Sequence, residues 1–176
     1  FNKEYEFRVI IDNSSFSKYL EEKNKKNNFL FVKPKNIESL FLEVSRINFG
    51  IFIDSGPLHI AKMYNKFGIL IETSVQSEIL LTNSKNIYSV SNLYKSNYCQ
   101  GPCNLVDIFA YNKQIGCYET NETSFKKIKT LKSFKNLQRW NKQDSNSHFF
   151  LNPVGCIKKI DLKNIVDLIR LKIKEN

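Results

Sequence analysis

At 176 residues, with 41% hydrophobic and 13% aromatic side chains, the chain has the material for one folded domain with its own core, and a disordered tail or linker is excluded. Its longest apolar runs, residues 49–53 and 67–71, fall far short of the ~20 residues that a bilayer-crossing helix needs. The net charge of +10 comes from lysines scattered through every segment among many Asn and Ile, with no arginine-rich helix or nucleic-acid motif, so the composition speaks against nucleic acid as a partner.

Phe7-Arg8-Val9-Ile10-Ile11-Asp12 is a short apolar run closed by Asn13-Ser14-Ser15, the pattern of a buried strand leading into a turn and a helix cap. A helix is expected over residues 16–23, then a polar loop over 24–28 and a second strand at Phe29-Leu30-Phe31-Val32. Pro34 breaks the chain. Ile37, Leu40, Phe41 and Val44 recur at three- and four-residue steps, which predicts a helix with one apolar face that Asn36 can cap. Residues 49–53 form the third strand, Pro57 opens a helix over 58–64, and Gly68-Ile69-Leu70-Ile71 supplies a fourth strand.

Strands alternating with helices through short connections predict a parallel sheet, because parallel neighbours need crossover connections. The fold class expected is therefore α/β, with residues 1 to about 90 in an open parallel sheet flanked by helices. Periodicity fades between residues 94 and 155, where Asn, Ser and Lys dominate around cysteines and aromatics, and this stretch reads as an irregular insertion. A closing helix is expected over 162–174, capped by Asp161, with Leu162, Ile165, Ile169 and Ile173 as its apolar stripe and Lys172 and Lys174 at its negative end.

One segment carries chemistry. The third strand delivers Asp54 to the carboxyl end of a parallel strand, just where ligands of open α/β sheets bind. Ser55-Gly56-Pro57 then turns into a helix: Ser55 or Gly56 can cap it, Gly56 allows a ligand close to the backbone, and Pro57 suits the first helical position. Unpaired N–H groups and the positive end of the helix dipole suit a diphosphate, and His59 can add a donor. The competing structural reading is that Asp54 and Ser55 merely cap a helix.

Over Ile53-Asp54-Ser55-Gly56-Pro57-Leu58-His59-Ile60-Ala61 the sequence resembles the bacterial heptosyltransferase family, glycosyltransferase family nine, with its D-[ST]-G-x-x-H-[LI]-[AT] motif after a buried strand. The helix before that strand, the segment 68–73 after it, Cys99-Gln100-Gly101-Pro102-Cys103 and Gly155-Cys156-Ile157 are similar to the family's surrounding segments. The resemblance covers most of the chain and is weaker before Phe29. It implies the Rossmann-like, carboxyl-terminal half of a two-domain GT-B architecture, with the whole of residues 1–176 as a nucleotide-sugar-binding domain. Asp54 would bond donor-sugar hydroxyls, Ser55, Gly56 and Pro57 would line the diphosphate, and His59 would sit beside it. Lys35 departs from the residue type the family has in its loop near the nucleotide base and receives no role.

The activity implied is inverting, metal-independent transfer of a heptose-like sugar from a nucleotide diphosphate donor to a lipopolysaccharide or other cell-envelope saccharide or glycolipid, at the inner face of the cytoplasmic membrane. No cofactor is required in that reading. No residue of this chain is expected to be catalytic, because the family's base and its phosphate-contacting lysine lie in segments without a counterpart here. The start at Phe1-Asn2-Lys3-Glu4 fits a piece of a longer protein whose amino-terminal acceptor domain is absent. The alternative is a noncatalytic nucleotide-sugar-binding or scaffold domain of the same fold. Each lysine near acidic lipid is worth roughly 1 kcal/mol, so the charge also favours peripheral membrane association.

Cys99, Cys103, Cys117 and Cys156 have the residue types for a tetrahedral zinc, but their spacing lacks the two tight pairs of zinc ribbons. Packed reduced thiols are the plainer reading, and the four are expected to lie near one another, because the insertion has too few periodic apolar residues to order itself without an anchor. His148 reads as a loop residue, and Trp140 as part of a satellite core rather than a sugar-stacking platform.

Overall fold

The computed structural model describes residues 5–96, 100–103 and 155–174. Most of the insertion lies outside these, and so do Cys99, Cys117, Trp140 and His148. The described residues divide into two compact units, one through Leu40 and one from Phe41 onward.

In the first unit β1 (Phe7–Ile10) and β2 (Phe29–Val32) pair in parallel, Phe7 opposite Phe29 and Ile10 opposite Val32. A further bond from Ile11 N to Val32 O prolongs the ladder. The crossover is α1 (Ser15–Lys23), whose N-cap Ser14 accepts the Ser17 N–H at 3.1 Å. Asp12 closes the turn before it by accepting from Ser14 N at 3.0 Å and from the Ser17 hydroxyl. The Ser14 hydroxyl foremost, then the Ser17 hydroxyl and the Ser14 N–H, hold the Asp12 carboxyl below the usual carboxylate range. Asp12 is thus a turn carboxylate held through its Oδ1 by its own loop.

Next comes α2 (Ile37–Arg46). Asn36 starts it as expected: Ser39 N donates to Asn36 Oδ1 at 2.9 Å, and Asn36 N donates to Ser39 Oγ at 3.1 Å, a reciprocal cap that satisfies two otherwise unpaired donors. The apolar stripe ends on Val44, which is fully buried, while the Phe41 ring meets Tyr64 edge-on.

The second unit is built on three parallel strands in the order β3 (Phe49–Phe52), β4 (Phe67–Ile71), β5 (Ile87–Val90). Side chains of β4 alternate across the sheet. Ile69 joins Val90 and Ile165 in a cluster to which Phe49, Ile71, Leu168 and Ile169 add, so α6 (Leu162–Lys174) covers that face. On the opposite face Gly50 lies directly beside Gly68, and the Phe52 ring lies over both. A Cβ on Gly68 would fall 2.4 Å from the Gly50 carbonyl oxygen and 2.7 Å from the Phe52 ring. Only hydrogen fits at that position.

The connection from β3 to β4 is α3 (Gly56–Met63), anchored by buried Leu58, Ile60 and Ala61. Between β4 and β5 stands the one-turn α4 (Ser77–Leu80), to which Lys62 of α3 donates through Leu80 O. Near the carboxyl terminus, α5 (Gly155–Lys158) precedes α6, whose first turn is capped by Asp161 accepting from Asn164 N at 3.0 Å.

The α/β class and the parallel strands agree with expectation. The strands, however, form two small sheets of two and three strands. Neither α4 nor β5 was anticipated as an element, because residues 77–90 mix Ser, Asn and Thr with apolar runs of no more than three residues. Among the described residues no helix is long and apolar enough to cross a membrane.

Candidate functional site

Asp54 sits two residues past the end of β3, at the carboxyl edge of the three-stranded sheet, and its side chain is partly exposed. Ser55 follows in extended conformation (φ −167°, ψ 163°) at the N-cap of α3. Its hydroxyl does not cap the helix. It turns back and donates to Ile53 O at 3.0 Å, tying the turn to the strand end. The Ser55 carbonyl accepts from Leu58 N at 3.1 Å and His59 N at 3.5 Å, and Pro57, the second helical residue, has no N–H. Among the described residues the Gly56 N–H therefore has no protein acceptor. A Cβ built on Gly56 meets nothing within 4 Å, so the backbone there faces open space.

His59 lies one turn into α3 and is turned outward, because its neighbours Leu58 and Ile60 are the buried anchors of the helix. Its Nε2 is 3.9 Å from Asp54 Oδ1, too long for a hydrogen bond but close enough for mutual attraction when the imidazole is protonated. The turn thus brings together a carboxylate that can accept from hydroxyls, an unpaired backbone donor at the positive end of an eight-residue helix, and an imidazole. This set is suited to a ligand with hydroxyls at one end and an anionic group at the other.

The cysteine expectation is only partly visible. Cys103 and Cys156 are half-buried, and a Cβ on Gly101 would lie 3.5 Å from Cys156 Cβ, so the 100–103 segment does pass beside Cys156. Cys99 and Cys117 are outside the described residues. Among the described residues no three His, Cys, Asp or Glu side chains gather as a metal site.

A second feature at the same end of the sheet escaped the sequence reading. Glu72, only 3% exposed, directly follows β4, and its carboxylate accepts from Ser77 N at 2.7 Å and Asn92 N at 3.2 Å. It joins the loop after β4 to the loop after β5 and so fixes the floor of a cavity of about 430 Å³. The signal was present: Glu72 follows an apolar run as Asp54 does. What was missing was recognition of β5, without which Asn92 has no assigned partner.

Comparison with protein-family models, with curated proteins and with solved structures finds no match for the chain.

Proposed function

We propose that this chain is the Rossmann-like, donor-binding part of an inverting, metal-independent glycosyltransferase that takes a heptose-like sugar from a nucleotide diphosphate and passes it to a cell-envelope saccharide or glycolipid. The observation that supports this reading best is the turn Asp54-Ser55-Gly56-Pro57, with its carboxylate, its unpaired Gly56 N–H and the open space beside it. In this proposal Asp54 accepts from sugar hydroxyls, Gly56 N–H and the start of α3 hold the diphosphate, Ser55 keeps the turn shut through Ile53 O, and His59 flanks the phosphates.

The chemistry is a single displacement at the anomeric carbon. As the bond to the diphosphate breaks, negative charge grows on the leaving oxygens, and donors already aimed there stabilise it without reorganising. A base outside this chain would take the acceptor hydroxyl proton. Work at the cytoplasmic membrane surface is part of the same proposal, with the excess of lysines supplying attraction to acidic lipid.

Thermal-shift screening with a panel of nucleotide diphosphate sugars tests the reading. A donor at a hundredfold excess over its dissociation constant stabilises the folded state by about 2.7 kcal/mol, which moves the melting midpoint by several degrees. A panel in which no nucleotide sugar moves the midpoint contradicts the proposal.

A further inference from the structure

The cavity of about 430 Å³ opens at the carboxyl ends of β4 and β5, between residues 91–95 and the α5–α6 junction. Its volume is at the lower end of the range for small-ligand pockets, large enough for a monosaccharide derivative and small for a whole nucleotide sugar. Ile71, Val90 and Ile160 give it an apolar wall, while Asn92, Lys95, Lys159 and Asp161 bring polar groups.

Asn92 is the informative member. It is 6% exposed, and its amide nitrogen donates to the Cys156 carbonyl at 2.8 Å. Its side-chain oxygen has no protein partner among the described residues. No sealed side-chain oxygen or nitrogen among the described residues lacks a partner, so this oxygen is open to solvent, and Asn92 lines the cavity. Water reaches that acceptor while the cavity is empty, and a ligand hydroxyl that replaces the water keeps it satisfied, whereas an apolar ligand would leave it unpaired.

The charges point to the rest of the ligand. Glu72 spends both oxygens on backbone N–H groups, and Asp161 already meets the positive end of α6 by capping it. Lys95 and Lys159 have no ion-pair partner among the described residues. Two lysines that line the same cavity as a buried hydroxyl acceptor suit an anion that carries hydroxyls. We propose that this cavity is a binding site for a phosphorylated monosaccharide, with Asn92 Oδ1 and the second oxygen of Asp161 accepting hydrogen bonds from sugar hydroxyls and Lys95 and Lys159 donating to the phosphate.

This site does not depend on the donor reading, since strand spacing alone puts the end of β5 about 10 Å from the end of β3. Isothermal titration of the 176-residue chain with glucose 6-phosphate and ribose 5-phosphate tests it, with glucose and inorganic phosphate as controls. At least one sugar phosphate should bind, and each control at least tenfold more weakly. Lys95→Ala/Lys159→Ala, at exposed positions that leave the fold intact, should weaken the sugar phosphate at least tenfold, whereas Asp54→Ala should leave it unchanged. Failure of both sugar phosphates to bind overturns the proposal. So does inorganic phosphate binding as tightly as they do, or affinity that survives loss of both lysines. A nucleotide sugar that binds irrespective of the lysine pair leaves the donor reading standing when this one falls.

Discussion

At the scale of single residues, the turn after β3 separates side chains that build it from groups that remain available. Ser55 belongs to the first kind, because its hydroxyl is spent on Ile53 O. Gly56 belongs to the second, since among the described residues its N–H has no acceptor and space lies beside it. Gly56→Val should therefore change folding stability by no more than about 0.5 kcal/mol, as for most open surface sites. It should nonetheless weaken a nucleotide sugar and the bare nucleoside diphosphate together, by tenfold or more, because the added methyls occupy the phosphate position. Melting curves alongside calorimetry separate the two effects, and a well-folded variant with unchanged affinity for both ligands contradicts the role of Gly56.

Asp12 offers a second residue-scale test. Its folded carboxyl lies below the ordinary value of about 3.9, so its contribution to stability is complete above that value and is lost as the pH falls through the folded one. The stability difference between the chain and Asp12→Asn should stay constant from about pH 7 to 5 and shrink below about pH 4. A difference undiminished at about pH 2 rules the carboxylate out as its source. The residues of the candidate turn were legible in the sequence because Asp, Gly and Pro have strong positional meaning at a strand-to-helix junction. The direction of the Ser55 hydroxyl was not, since a serine before a helix caps it more often than it turns back.

At the scale of elements, the position of Asp54 rests on the pairing of β3 with β4, and that pairing rests on two glycines in register. Gly68→Ala forces a methyl against the Gly50 carbonyl, a backbone atom that cannot swing aside. Such overpacking typically costs 1–3 kcal/mol, so denaturant unfolding should show a loss of that order in Gly68→Ala, against almost none in Gly56→Ala. Equal stability of the two variants disproves the close approach. Elements with a strong apolar period or a clear cap were readable in advance: β2, α2 with Asn36, and α6 with Asp161. Short elements held by tertiary partners were not. The single turn of α4 depends on Glu72, which lies outside the helix, and on Lys62, eighteen residues before Leu80, and the β5 segment Ile-Tyr-Ser-Val is too short for a period to appear.

At the scale of the whole molecule, the parallel α/β character followed from the alternation of segments, whereas the division into a two-stranded and a three-stranded sheet did not. Alternation fixes which strands need crossovers but not which of them hydrogen-bond to one another. The central claim is that the carboxyl edge of the three-stranded sheet holds a sugar nucleotide, with the sugar on Asp54 and the diphosphate on the start of α3. The chain alone should bind the donor and transfer no sugar, because the proposed base lies elsewhere. The most direct measurement is calorimetric titration of the chain and of Asp54→Ala with a nucleotide diphosphate sugar and with the matching nucleoside diphosphate. Loss of hydrogen bonds to a charged acceptor costs about 1.5–3 kcal/mol, so Asp54→Ala should bind the sugar nucleotide roughly ten- to a hundredfold more weakly while binding the bare diphosphate nearly as before. An Asp54→Ala variant that binds the sugar nucleotide as tightly as the unaltered chain contradicts the account.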